Sequence, residues 1–243
     1  MSCRMIFAKE FFDLQLAFAQ HVCGLLGISL DRALLEYTNL YIRFGLGREF
    51  DANDAVWRAY LAGLRTTADV GGYTYEFYLR DAEATTAPPT LGRFGCFSWA
   101  CEGDEAIRLH FRNQEQGDVS PLSNGQSDAR RAELAALFAH AQSVVGGVRT
   151  VLGISWLYNL EAYRRLFPPA YGESRRVIRA RFRGMSLWGQ FLNYRGDIKQ
   201  EAARQFLSAL ARQSSCCDLD RCFPFQVLTT EAPIQRFYAF HGL

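Results

Sequence analysis

The sequence lacks a strong charge imbalance and a long hydrophobic run. Its formal net charge is +2 over 243 residues, so composition gives no reason to expect nucleic acid or a membrane surface as a partner. No apolar run reaches the length of about 20 residues that a membrane-spanning helix needs. The first twenty residues mix acidic and basic side chains into the apolar region and contain no small-residue cleavage site, which argues against a signal peptide.

Signatures of several site types are missing as well. The chain contains no P-loop and no GxGxxG motif. Its four histidines do not stand at ligand-like spacings and its cysteines form no CxxC pair, so no metal site is expected. Seven cysteines are an odd number, in a chain too long to need disulfides, and they indicate a reducing cytoplasm. Cys216, Cys217 and Cys222 are expected to be loop and core thiols.

Apolar residues at three- and four-residue steps predict three helices in the first seventy residues. The first helix is expected over 6–26 and stops at Gly27. The second follows Ser29, a good N-cap residue, and the third follows Asp51 or Asn53. The N-terminal part is therefore expected to be mainly helical.

An aromatic segment follows these helices. Beyond two adjacent glycines, the residues alternate between large apolar and mostly polar side chains, a period of two that is typical of a strand. The apolar members of this predicted strand are Tyr73, Tyr75, Phe77 and Leu79.

The proline-containing segment 82–90 cannot continue a sheet and is the best candidate boundary. It divides the chain into a helical part, residues 1–87, and a second part, residues 88–243. Strands and helices alternate in the second part, which favours a mixed sheet with packed helices and an α+β fold. The expected elements are a hairpin over 93–101 and 106–112, a helix from Ser127, a strand over 148–154, a helix over 155–167, a strand over 178–183, a helix after Asp197, and a terminal strand and helix over 223–243.

Ser155 stands where a predicted strand meets a helix, within Gly153-Ile154-Ser155-Trp156-Leu157. A hydrolase places its nucleophilic serine in this setting, but the second glycine of that elbow is absent. The simpler interpretation is that Ser155 caps the following helix. The free amides of that helix could still hold an anionic or acyl group.

A run of arginines lies on one face of the strand predicted over 178–183. Arg179, Arg181 and Arg183 alternate there with apolar residues, and Arg175 and Arg176 precede them. Paired guanidinium hydrogen bonds could bind phosphate groups. The alternative is a solvated face whose charges discourage edge pairing.

The C-terminal segment resembles the late motif of Gcn5-related N-acetyltransferases, in which a strand precedes a helix that ends in FYxxxG. Phe237, Tyr238 and Gly242 carry this resemblance. It implies an acyltransferase-like fold, a coenzyme A thioester as co-substrate, and Tyr238 as the acid that protonates the departing thiolate.

A second likeness links residues 106–243 to acyltransferase-like domains that follow a helical domain in some bacterial proteins. It rests on Leu109, Pro121, Leu122, Ser123, Ser155, Trp156 and Leu157. The family's Q/R-x-x-G-x-G/A loop, whose amides bind the coenzyme A pyrophosphate, is not found.

These observations lead to one expected function and two alternatives. The expected function is acyl transfer from a coenzyme A thioester to an amine or hydroxyl acceptor, with Tyr238 as acid and Ser155, Arg179 and Arg181 around the anion. The first alternative is a non-catalytic adaptor on a degenerate acyltransferase-like fold. It recognises a peptide or a partner subunit through the basic strand or through an aromatic face formed by Tyr73, Tyr75, Phe77 and Tyr78. The second is a serine hydrolase, which needs a histidine beside Ser155.

Overall fold

The computed structural model describes residues 6–80, 90–113, 118–179 and 182–243. The predicted α+β class is confirmed, because helices pack on a mixed sheet. In chain order the elements are α1 (Lys9–Leu26), α2 (Leu30–Tyr37), α3 (Leu40–Arg43), α4 (Ala55–Leu64), α5 (Val70–Arg80), β1 (Gly92–Phe94), β2 (Phe97–Glu102), β3 (Ala106–Phe111), α6 (Ser127–Val144), β4 (Thr150–Ser155), α7 (Glu161–Arg164), α8 (Pro169–Glu173), β5 (Arg176–Val177), α9 (Met185–Trp188), α10 (Gln200–Ala211), β6 (Leu228–Pro233) and α11 (Ile234–His241).

The chain divides into two compact units, and each is built from two separate segments of the sequence. The helical unit comprises residues 1–86 and 180–225, and the sheet unit comprises residues 87–179 and 226–243. The sequence-based division at residue 87 places 180–225 with the sheet, whereas the compact units place this segment with the N-terminal helices.

Local signals start and stop the helices of the helical unit. Gly27 ends α1 in the left-handed conformation, at a φ of 62° that favours glycine. The hydroxyl of Ser29 accepts the backbone N–H of Arg32 and so caps α2. Asp54 caps α4 by accepting two backbone N–H groups, each at 2.9 Å.

Within the described residues no single helix is long and apolar enough to span a membrane. Only α1 and α2, a pair with a sharp bend between them, meet the length and composition criteria when they are taken together.

The strand predicted from Tyr73 onward is wrong, because this segment is the helix α5. Nearly every residue in it is large, so the same residues also fit a helical period, with Thr74, Phe77 and Tyr78 buried on one side. The missed start signal is Asp69, whose carboxylate accepts the backbone N–H of Gly72 at 2.8 Å. Since Phe77 and Tyr78 are buried, they cannot form the exposed aromatic face that the adaptor hypothesis uses.

The sheet has six strands in the order β1-β2-β3-β4-β6-β5 among the described residues. The hairpin predicted over 93–101 and 106–112 is present as β2 and β3, which pair antiparallel from Phe97–Phe111 to Glu102–Ala106. The first predicted strand is interrupted, because a turn at Gly95 and Cys96 divides it into β1 and β2, which pair with each other. Strands β3 and β4 are parallel, with α6 between them in the chain. Strand β6 lies antiparallel to both β4 and β5.

One face of the sheet packs against helices and forms the core of this unit. Alternate residues of the strands point to this face, which is why they are buried while their neighbours are partly exposed. The buried core residues come from β2, β3, β4, β6, α6, α7, α8 and α11 and the segments between them, and they include Trp99, Ile107, Leu109, Leu134, Phe138, Val151 and Phe237.

The strand predicted over 178–183 is wrong in the residues described. The observed strand, β5, ends at Val177, and beyond it the amide of Ile178 donates to the carbonyl of Val227 at 3.1 Å. Phe182 packs in the helical unit, with ring centroids 5.3 Å from Phe18 and 5.4 Å from Tyr37. The predicted alternation of apolar residues and arginines therefore does not lie on a strand, because the chain leaves the sheet after Ile178.

Candidate functional site

The parallel strands β3 and β4 pair over only half their lengths. Their register runs from Ala106–Thr150 to Arg108–Leu152, although each strand continues for three more residues. In those last three positions β3 remains paired with β2, and β4 remains paired with β6. The two strands therefore separate toward their carboxyl ends, where ligands bind in many open sheets that contain parallel strands.

Gly153 is the first residue of β4 beyond the part that pairs with β3. A Cβ atom built on Gly153 would lie 1.9 Å from the hydroxyl of Tyr158 and 2.3 Å from the hydroxyl of Tyr171. A glycine is therefore required at this position. It allows two phenols to reach the backbone of β4 at the point where β3 and β4 separate.

Beside Gly153 lies a cluster of three buried tyrosines, the tyrosine cluster, formed by Tyr158, Tyr163 and Tyr171. The hydroxyls of Tyr158 and Tyr171 are 2.9 Å apart. The ring of Tyr163 lies edge-on to that of Tyr158, at a centroid distance of 5.1 Å. Burial raises the pKa of all three phenols well above their ordinary value of 10.0. They are consequently protonated at physiological pH and can donate hydrogen bonds.

No motif in the sequence points to these tyrosines. Their one visible signal is Gly153 inside an otherwise apolar strand, because a glycine there often marks a close approach of other atoms. The approaching groups come from residues five and eighteen positions later in the chain. Sequence spacing does not indicate that both hydroxyls converge on this glycine.

Ser155 occupies the carboxyl end of β4 and caps the helical turn that follows. Its hydroxyl accepts the backbone N–H of Leu157 at 3.1 Å, as the simpler sequence interpretation predicted. The described hydrogen bonds of Ser155 include none to a histidine, so the serine-hydrolase alternative has no support from them.

The register of the sheet brings Ser155 and Arg179 to the same edge. Ser155 lies opposite Leu228, which lies opposite Val177 in β5. Two strand spacings, about 10 Å, therefore separate Ser155 from Val177. Arg179 follows two residues later and is exposed. Arg181, the other predicted anion-binding residue, lies outside the residues that the structure describes.

Not all neighbouring arginines can face an anion at this edge. Arg176 pairs with Glu231 on the adjacent strand at 2.7 Å. Arg183 belongs to the helical unit, where its guanidinium lies 4.5 Å above the ring of Phe50. The predicted five-residue basic face is thus divided between different surroundings.

Tyr238 lies on α11, which starts at the other end of β4. The helix begins with the amide of Ile234 donating to the carbonyl of Arg149, just before β4. Tyr238 is four residues further along, about 6 Å by helical rise, whereas β4 extends about 17 Å from Thr150 to Ser155. Tyr238 is half-buried beside the sheet core, and burial raises the pKa of its phenol. In the described contacts no bond links it to Ser155 or Arg179.

No family model, curated protein or solved structure matches this chain.

Two other features are weaker candidates for a site. Over the described ranges, no group of three or more His, Cys, Asp or Glu residues could hold a metal ion. An open groove lies along α4 in the helical unit, and its lining residues are Ala52, Ala55, Arg58, Ala59, Leu61, Ala62 and the Asp31–Arg65 ion pair. Five of these residues are apolar and two of the three charged ones pair with each other, so the groove offers few polar groups to orient a small molecule.

Proposed function

We propose that the sheet unit transfers an acyl group from a coenzyme A thioester to an amine or hydroxyl acceptor. The observation that carries this proposal is the divergence of β3 and β4 beyond Arg108 and Leu152, beside a glycine and buried phenols. An extended arm with amide groups can pair with strand backbone as a further strand would. The arm that links the thioester to the nucleotide of coenzyme A has this character.

Charge at the carboxyl edge of β4 supports a phosphate-bearing ligand. Arg179 is exposed there, close to the edge that Ser155 marks. A guanidinium binds phosphate oxygens through paired, charge-assisted hydrogen bonds. In this arrangement the nucleotide end of the ligand lies at the edge and the thioester lies between the strands.

The reaction proceeds by attack on the thioester carbonyl. The acceptor's nitrogen or oxygen forms a bond to the carbonyl carbon, the carbon–sulfur bond breaks, and the acceptor's proton passes to solvent. The departing thiolate takes a proton from a phenol, and the resulting phenolate recovers a proton from solvent. The resemblance assigns this role to Tyr238, whereas the geometry favours Tyr158, whose hydroxyl lies beside Gly153.

Thermal unfolding with increasing acetyl coenzyme A tests the proposal. A ligand that binds only the folded chain at one hundred times its Kd adds about 2.7 kcal/mol of stability. For a chain of this length we expect the midpoint to rise by about 5–10 °C. An unchanged midpoint at saturating concentration would contradict the proposal.

A matched pair of arginine variants locates the phosphate contact. Arg179→Ala should weaken binding about tenfold, the loss expected for about 1.4 kcal/mol from a charge-assisted contact. The control is Arg93→Ala, which removes an exposed arginine from β1, at the far edge of the same sheet. Equal affinities of the two variants for coenzyme A would mean that Arg179 does not contact the phosphates.

Two phenol variants separate the candidate acids. We expect Tyr158→Phe to lower the rate of acyl transfer about a hundredfold or more, the usual contribution of a positioned acid. Tyr238→Phe should leave the rate nearly unchanged. The opposite pattern would return the acid role to Tyr238. Both variants must first show wild-type coenzyme A binding, so that a folding defect is not read as lost chemistry.

A further inference from the structure

Two adjacent cysteines lie exposed in the helical unit, whereas the proposed acyl-transfer site belongs to the sheet unit. Cys216 and Cys217 open a short helical segment, Cys216–Cys222, that follows α10. Both side chains are exposed, whereas Cys222 at the other end of the segment is buried. Small reagents can therefore reach the first two thiols together.

The backbone around this pair is held at both ends. The hydroxyl of Ser215 accepts the backbone N–H of Cys217 at 3.2 Å and so caps the segment. Leu219 and Cys222 anchor the rest of it in the core, where they are 1% and 8% exposed. An ion pair between Asp218 and Arg221, at 3.2 Å, spans its middle. A covalent change at the pair therefore strains a fixed turn rather than a free loop.

We propose that Cys216 and Cys217 form a thiol modification site that reacts with low-molecular-weight disulfides. The thiolate of Cys216 attacks the disulfide, forms a mixed disulfide and releases one small thiol. The thiolate of Cys217 then attacks the sulfur of Cys216 and releases the second small thiol. The two protein thiols are oxidised to a disulfide, and the added disulfide is reduced to two thiols.

The adjacency of the two residues makes this modification reversible. Neighbouring Cα atoms are about 3.8 Å apart across a trans peptide, whereas disulfides span about 4.4–6.8 Å. The ring is therefore strained, and strained disulfides are readily reduced. Closing it also draws Cys217 away from the hydroxyl of Ser215, so the cap is lost.

Mass spectrometry of the full chain after treatment with oxidised glutathione tests this inference. We expect Cys216 and Cys217 to be linked without a glutathione adduct, and dithiothreitol to restore both thiols. Cys217→Ser should instead stop at the mixed disulfide on Cys216. The control is Cys101→Ser, which removes an exposed cysteine that has no adjacent cysteine in the sequence and should leave the pair's reaction unchanged.

The oxidised chain should unfold at a midpoint about 3 °C below the reduced chain, the shift expected for the loss of one helix cap. An unchanged midpoint in the disulfide-linked form would contradict the predicted loss of the Ser215 cap. A stable glutathione adduct in the wild-type chain, or reaction at Cys101 before Cys216 and Cys217, would overturn the proposal. Neither readout depends on coenzyme A binding, so the result is independent of the proposed acyl transfer.

Discussion

Two buried aromatic clusters, one in each unit, differ in whether they carry polar atoms. In the helical unit, Phe18, Phe206 and Phe223 pack with ring centroids 4.7–5.7 Å apart, and none carries a polar atom. In the sheet unit, Tyr158 and Tyr171 bury hydroxyls that must find partners. Buried polar groups cost free energy unless they are hydrogen-bonded. The phenyl cluster therefore serves packing alone, whereas the tyrosine cluster places protonated groups beside diverging strands.

The largest loss of stability is expected from truncating a side chain of the phenyl cluster. Phe206 is fully buried, so Phe206→Ala should lower the free energy of unfolding by about 3–5 kcal/mol. Urea denaturation followed by circular dichroism measures the loss. The neighbouring change Leu207→Ala is the control, because Leu207 is 40% exposed and should cost less than about 1 kcal/mol. Similar losses in both variants would mean that Phe206 is not a core residue.

A smaller loss should follow from adding one methyl group beside the tyrosine cluster. Gly153→Ala places a carbon against two hydroxyls and should cost about 1–3 kcal/mol, as overpacking does. The matched control is Gly172→Ala in α8, where an added Cβ meets no atom within 4 Å. It should be neutral or slightly stabilising.

A second substitution checks the cause of that loss. Combining Gly153→Ala with Tyr158→Phe removes the hydroxyl that lies closest to the new methyl group. Part of the lost stability should return, measured as a coupling energy in a double-mutant cycle. Strict additivity of the two changes would show that the hydroxyl does not press on Gly153.

The smallest effect concerns acid stability and His241 in α11. Burial, with a further contribution from the charge of Arg131, lowers the pKa of this imidazole from 6.5 to about 4. The folded state therefore favours the neutral ring. Its contribution to stability is complete above pH 6.5 and is lost as the pH falls toward 4. Because the ring is partly exposed, we expect a loss of about 1 kcal/mol between pH 7 and pH 5.

Urea midpoints at the two pH values, in the wild type and in His241→Gln, isolate this contribution from other titrating groups. The variant cannot protonate at this position, so its midpoint should fall less on acidification. Equal falls in the two proteins would contradict the assigned cause.

Local signals predicted the structure where they alone decide it. The period of the apolar residues and Gly27 predicted α1, the cap at Ser29 predicted the start of α2, and the hairpin of β2 and β3 followed from alternation and its turn. The break between α2 and α3 was not predicted. The strand prediction failed at α5, because a segment in which almost every side chain is large fits both periods. The outcome at Asp69 shows that the cap was the better guide there.

Long-range features had no such local signal. Strand β6 pairs with β4 across more than seventy residues of sequence, and residues 180–225 return to the N-terminal helices. The geometry of the candidate site was not predicted for the same reason. Ser155 and Arg179 come to one edge only through the register of three strands, and Tyr238 lies toward the other end of β4 through the start of α11.

Hydrogen exchange with and without coenzyme A tests the central claim most directly. If the ligand lies between β3 and β4, the amides of residues 109–111 and 153–157 should exchange more slowly in its presence, while those of α1 and α10 in the helical unit should not change. Slower exchange only in the helical unit, or no change in any segment at saturating coenzyme A, would contradict the proposed site.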